Sequence, residues 1–175
     1  MRRINRLKGY RALQTIISNQ STITRTIEAL PPDRLHMVTH GQGFVNESIV
    51  ISNTVYARQA TGPWQKFQAE SAASAAAPLA NGENNAVLSS ETQFGQAEEK
   101  TIDGVLMRAY RSEAGSAQAG GANIQTVWVG VQDGLVHRAE TLLSVQSAGQ
   151  KITTQSTIVY YDLDAPDIVI EPPIP

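Results

Sequence analysis

Hydrophobic and polar positions alternate along most of this chain with the period of a β-strand. Tyr10 to Ser18 reads YRALQTIIS and Thr22 to Ala29 reads TITRTIEA. Both runs are rich in β-branched residues, and the SNQS between them suits a hairpin turn. In the second run Ile23, Ile27 and Ala29 fall on one side and Thr22, Thr24, Thr26 and Glu28 on the other. That is the alternation of a sheet with one wet face. Pro31-Pro32-Asp33 breaks the chain, and Arg34 to Thr39 predicts a third strand. Glu47 to Ser52 and Thr54 to Arg58 meet at Ser52-Asn53, and Gly62-Pro63 opens a short run from Trp64 to Phe67.

The middle has another character. Gln68 to Ala80 is alanine-rich, with good helix formers and a proline at 78, which predicts a short helix over Ala69 to Ala77 inside a helical or loop insertion at 68–90. Strand patterning then resumes. Gln96 to Ile102 and Val105 to Arg111 flank Asp103-Gly104, a type I′ hairpin signal. Ser112 to Asn123, SEAGSAQAGGAN, reads as a flexible loop. Ile124 to Val131 puts Val127, Val129 and Val131 on one face and Trp128 on the other. Asp133-Gly134 is a second such turn, and Leu135 to Ser147 and Lys151 to Tyr161 are long strands about Ala148-Gly149. The final DAPDIVIEPPIP can pair only briefly before its prolines stop it.

The pattern thus predicts a mainly β (α+β) chain, with about ten strands in an antiparallel meander and one or two short helices. So many twisted strands in one sheet should curl, so the expected form is a strongly curved sheet, open or half-closed. On such a sheet Val105, Met107, Val127, Val129, Val131, Leu143, Val145, Ile152 and Ile158 would line the concave face, together with Trp64. Aromatic residues are only 6% of the chain, and short helices supply too little side-chain volume to fill a face made by ten strands. These concave positions form either an ordinary core filled by helix side chains or, where left unfilled, a ligand cavity or a partner-binding surface.

Composition narrows the class. The chain has 175 residues, 14 Lys plus Arg, 16 Asp plus Glu and a net charge of -2, the size of one domain. The charge balance argues against nucleic-acid binding by bulk positive charge. With no Cys there are no disulfides, thiolate zinc sites or thiol nucleophiles. Residues 1–8 are basic, without the apolar run of an export signal. Arg2, Arg3, Arg6 and Lys8 could there meet anionic lipid at a membrane surface.

No catalytic or metal constellation emerges. His36 and His40 are four apart, but on a strand that spacing is about 13 Å. Asp162, Asp164 and Asp167 lack the glycine and closing glutamate of a calcium loop, and Pro166 intrudes. Glu98 and Glu99 are adjacent and point to opposite faces of a strand. There is no GxSxG elbow, and Gly115 to Gly121 is no phosphate-binding loop. The pattern therefore points away from enzymes and cofactors.

Several segments, taken in order, resemble the LolA-like superfamily, and most closely the LppX/LprG-like envelope lipoproteins. They are Lys8-Gly9-Tyr10-Arg11, Pro32-Asp33-Arg34, Glu47 to Ile51 with Val55-Tyr56-Ala57-Arg58, and Trp64-Gln65-Lys66. Val127 to Gly130 with Asp133 to Arg138 follows, then Tyr160 to Pro166 with Ile168 to Pro173. The resemblance spans about residues 4 to 174, so 1–175 is expected to form one LolA-like domain. It implies a half-barrel, a curved sheet wrapped over helices with an apolar cavity between. It also implies a non-enzymatic, extracytoplasmic carrier of lipids or acylated ligands in the bacterial envelope, the chain being expected to be a mature domain without its export signal and residues 1–8 the end of a truncated N-terminal helix. The alternative is a protein-interaction or sensor module that uses the concave sheet or an edge strand.

Overall fold

A computed structural model describes residues 7–19, 21–70, 95–116, 121–147 and 150–175. Its eleven strands are β1 (Tyr10–Ser18), β2 (Ser21–Leu30), β3 (Arg34–Gly41), β4 (Phe44–Ile51), β5 (Thr54–Gln59), β6 (Gln65–Gln68), β7 (Gly95–Ile102), β8 (Val105–Ser116), β9 (Gly121–Gly130), β10 (Val136–Ser147) and β11 (Gln150–Tyr161). They form one antiparallel sheet in the order β6-β5-β4-β3-β2-β1-β11-β10-β9-β8-β7. Two meanders, β1 to β6 and β7 to β11, are therefore fused where the first strand pairs with the last. The register there runs from Arg11 opposite Tyr161 to Ser18 opposite Thr154.

Local chemistry fixes the hairpins. Asp103 and Gly104 both take positive φ, 50° and 81°, as a type I′ turn requires. Between β9 and β10 the Asp133 carboxylate accepts the Leu135 amide at 2.9 Å and Gly134 sits at φ 69°. A bulge at the start of β10 lies between Val136 and Arg138, beside this turn. Gly130 gives this turn its room: a Cβ would lie 2.3 Å from Asp133 Oδ1 and 2.9 Å from His137 Nε2, so those side chains would have to shift.

Two expectations need correction. The stretch Ser112 to Asn123 is largely strand: β8 runs to Ser116, β9 starts at Gly121, and pairing continues to Ser116 opposite Gly121. Its Gly, Ala and Ser composition suggested a loop, but small residues accept a ladder that longer neighbours have already set in register. The terminal segment after Tyr161 forms no strand. It lies on the sheet through its side chains instead. Among the described residues there is no helix; the alanine-rich stretch at 71–77 and the N-terminal residues 1–6 lie outside them.

Strand alternation gives the sheet two faces with different roles. One carries Ala12 and is called the Ala12 face; the other carries Arg11. The main core is on the Ala12 face, where Leu7, Ala12, Val127, Val129, Val136, Ala139, Ile158 and Tyr160 form one buried cluster. On the Arg11 face the C-terminal segment packs Ala165, Ile168 and Ile170 against Ile49 and Tyr56. Its start is tied down twice: the Asp164 amide donates to Gly9 O, and the Lys8 amide donates to Asp164 Oδ1, each at 2.8 Å. Farther on, Arg34 Nη1 donates to Ile170 O at 2.8 Å. Gly9 admits this crossing, since a Cβ there would meet Ala165 O at 3.2 Å.

Beside that segment a charge ladder crosses five consecutive strands. Arg11 Nε donates to Glu28 at 2.8 Å, and His36 bridges Glu28 (3.4 Å) and Glu47 (2.9 Å). Arg58 Nε then closes the row on Glu47 at 2.7 Å, with its guanidinium 4.6 Å over the Trp64 ring. Arg11 also reaches Asp162 and Asp167, each at 3.1 Å, which joins the ladder to the C-terminal segment.

The edges differ from the centre. β6 is four residues long with all four exposed, and β7 carries Glu98, Glu99 and Lys100 beside an irregularity between Gln96 and Glu99.

Two outcomes follow. Ala12 is fully buried and lies opposite both Ile27 and Tyr160, so Ala12→Leu overpacks the joint and should cost about 1–3 kcal/mol in urea unfolding. An unchanged midpoint would mean that this row is not close-packed. The second concerns acid. The Arg11 hydrogen bond holds Glu28 below its ordinary value of 4.5. Burial pushes Glu47 up, but hydrogen bonds from His36 and Arg58 outweigh it and hold Glu47 low as well. A carboxyl lowered by folding contributes stability that is complete above 4.5 and lost as pH falls through the folded value. The Glu28→Gln/Glu47→Gln double variant should therefore be less stable near neutrality and lose less stability on acidification. Parallel pH profiles for variant and wild type would remove the ladder from the acid response.

Candidate functional site

The Ala12 face holds the candidate site, and its residues fall into three zones. The first is the apolar cluster around Val127 and Ile158, which Tyr10, Ile27 and Tyr110 extend. It contains one polar device: Tyr10 and Tyr160 stack edge to face at 5.7 Å, and burial pushes both phenols up, so both stay neutral.

A polar band comes next. Thr39, Arg25 and Gln14 stand in register on β3, β2 and β1. One step along, Ser156, Thr141, Gln125 and Ser112 stand in register on β11, β10, β9 and β8. The two halves are joined across the central pair, where Gln14 Nε2 donates to Ser156 Oγ at 3.0 Å. Arg25 Nη1 donates to Gln14 Oε1 at 3.3 Å. The band is buried, with Gln14, Thr141 and Ser156 each only 2% exposed and Gln125 6%. Yet Arg25 Nε, Thr141 Oγ1, Gln125 Oε1 and the neighbouring Asn123 Oδ1 have no hydrogen-bond partner. Such atoms cost about 1–3 kcal/mol each when left unsatisfied, so their clustering calls for a physical cause.

Beyond the band the face is apolar again, with Ile16, Ile23, Leu143, Val145 and Ile152 on strands β1, β2, β10 and β11. The face is therefore amphipathic along the strands: apolar, polar, apolar.

The residues expected to line a cavity divide between locations. Val127, Val129 and Ile158 stand together in the first apolar zone. Leu143 and Val145 lie beyond the band, Val145 exposed at its end. Val105 and Met107 are on the Arg11 face, packed with Ala109 and Trp128. Trp64 is also apart, against the C-terminal segment and under Arg58. The band residues Arg25, Gln14, Ser156, Thr141 and Gln125 were not anticipated. Their signal is present in the strands: Arg25 interrupts Ile23 and Ile27, and Gln14 interrupts Ala12 and Ile16, each in phase with the buried side.

The Arg11 face has a groove of its own, about 520 Å³, with Val105, Met107, Arg138 and Tyr161 among its walls and acidic turn residues at its rim. His137 Nε2 lies 2.8 Å from Asp133 Oδ2 there. Burial pushes Asp133 up, but the Leu135 amide and His137 outweigh it and hold the carboxyl low. Both groups shape the turn. His36 is engaged in the ladder, and His40 stands four residues on along the same strand. Asp162, Asp164 and Asp167 are occupied by Arg11 and the Lys8 amide. Among the described residues no group of His, Asp and Glu is arranged to hold a metal ion.

No protein-family model matches this chain, and no curated protein does. Solved structures do. The Mycobacterium tuberculosis lipoprotein LppX aligns with a TM-score of 0.62 at 12% identity, over 94% of this chain and 90% of that one. A DUF1329 family protein from Desulfovibrio piger (TM-score 0.33, 10% identity, 95% and 89% covered) is a far looser match. So is a LolA superfamily protein from Nitrosomonas europaea (TM-score 0.36, 6% identity, 92% and 86% covered). At 12% identity the likeness to LppX is one of fold: the chain has the fold that LppX displays.

Proposed function

We infer that this protein is a non-enzymatic, extracytoplasmic carrier that binds an amphiphilic, acyl-bearing ligand on its Ala12 face. The observation that carries the reading is the cluster of buried, unpartnered polar atoms beside two apolar zones. A face that served only as a core would be apolar or hydrogen-bonded throughout. A ligand with both an acyl chain and polar groups supplies what this face lacks. The LolA-like fold and the lipoprotein character of LppX agree with an envelope location. Binding needs no bond making. The chain leaves water for the apolar zones, which contributes roughly 0.8 kcal/mol per buried CH₂.

A second reading, docking of a protein segment, draws on exposed Leu13, Ile17 and Leu142 on the Arg11 face. It places the partner on the opposite side of the sheet, so surface substitutions separate the two.

Protein stripped of lipid by unfolding and refolding should bind a fluorescent acyl probe saturably. Shortening the acyl chain by four methylenes should weaken binding by about 3 kcal/mol, roughly two orders of magnitude. Leu143→Gln, on the Ala12 face, should weaken it several-fold; Leu13→Gln, on the other face, should not. No saturable binding, or equal effects of the two substitutions, would sink the carrier reading.

A further inference from the structure

The other arginines provide the contrast for Arg25. Arg11, Arg58, Arg108 and Arg138 each meet a carboxylate, and Arg34 meets a backbone carbonyl. Among the described residues Arg25 meets only the neutral amide oxygen of Gln14, and its Nε is buried with no partner. Burial lowers its pKa, and no carboxylate among the described residues offsets that cost. A half-buried guanidinium without a counter-ion is an unfavourable arrangement unless an anion completes it.

Its placement is suited to that completion. Arg25 stands on the Ala12 face between Ile23 and Ile27, and Ile27 packs against the first apolar zone. Two residues along a strand is about 7 Å, so an acyl chain lying on that zone brings its head to the guanidinium. Gln14 holds one arm of the guanidinium and is itself held by Ser156, which leaves Nε free on one side of the planar fork. Guanidinium favours carboxylate and phosphate because its paired N–H groups match two oxygens at once.

We propose that Arg25 anchors the acidic head, carboxylate or phosphate, of the amphiphile on the Ala12 face, with Gln14 as the positioning residue. Thr141 Oγ1, Gln125 Oε1 and Asn123 Oδ1 are also buried without partners among the described residues, but they lie three to four strands farther along the band. The proposal rests on the carrier reading and goes beyond it by naming the head-group chemistry.

The test uses three probes with one chain length: palmitate, hexadecyl phosphate and hexadecanol. Delipidated wild-type protein should bind the two anions at least about tenfold more tightly than the alcohol, the scale of one charge-assisted hydrogen bond. The order of palmitate and hexadecyl phosphate identifies the head. In Arg25→Met the ratio of anion to alcohol affinity should collapse towards one. In Arg25→Lys, which keeps the charge and loses the fork, it should fall to an intermediate value. Circular dichroism checks that each variant is folded, and if Arg25→Met is not, the lysine variant supplies the ratio. Equal binding of the three probes by wild type, or ratios unmoved by substitution, overturns this proposal alone. Failure of every probe to bind overturns the carrier reading as well.

Discussion

The pairing of β1 with β11 makes one sheet out of two meanders. Every other strand pair joins neighbours in sequence; this one joins the two ends of the described chain. The Gln14–Ser156 bond, the packing of Ala12 under Tyr160 and the reach of Arg11 to Asp162 all cross or flank this seam. Such a contact closes a loop of most of the chain and carries the corresponding entropy cost. It is accordingly built with buried groups on one face and ion pairs on the other. The last strand must be present before either face is complete, and a pairing of such high sequence separation is the kind that slows folding.

The two faces divide the work. On the Arg11 face, charges are matched and a terminal segment is strapped down by its own isoleucines. The charges of its ladder find partners within the chain. On the Ala12 face, apolar side chains surround polar atoms that find none. The contrast between Arg11, with three carboxylates, and Arg25, with none among the described residues, is the sharpest expression of this division.

Much of the fold was legible because strand alternation and hairpin chemistry are local. β1 emerged with its observed bounds, and the Asp-Gly turns at 103 and 133 fell where the sequence put them. The β8–β9 extension was hidden because composition argued for a loop while register, a property of two strands, decided otherwise. The site was less legible for the same reason. Val105 and Val127 look alike in sequence, yet an antiparallel ladder places them on opposite faces. Arg25 and Gln14 show as breaks in an apolar phase, but only pairing reveals that such breaks line up across the sheet. Arginine in a strand is ordinary; arginine in a row with Gln14 beside unpartnered oxygens is not.

The blunt edges have a mechanical consequence. A closed barrel has its radius fixed by strand number and shear. Here a four-residue strand at one edge and an irregular, charged strand at the other cannot zip together along their length. Among the described strands the two edges thus do not close on each other to hold the radius. Its curvature can open or tighten by small changes of twist distributed over many strands, with every ladder hydrogen bond kept. How tightly the Ala12 face bends is then set by sheet stiffness instead of by closure.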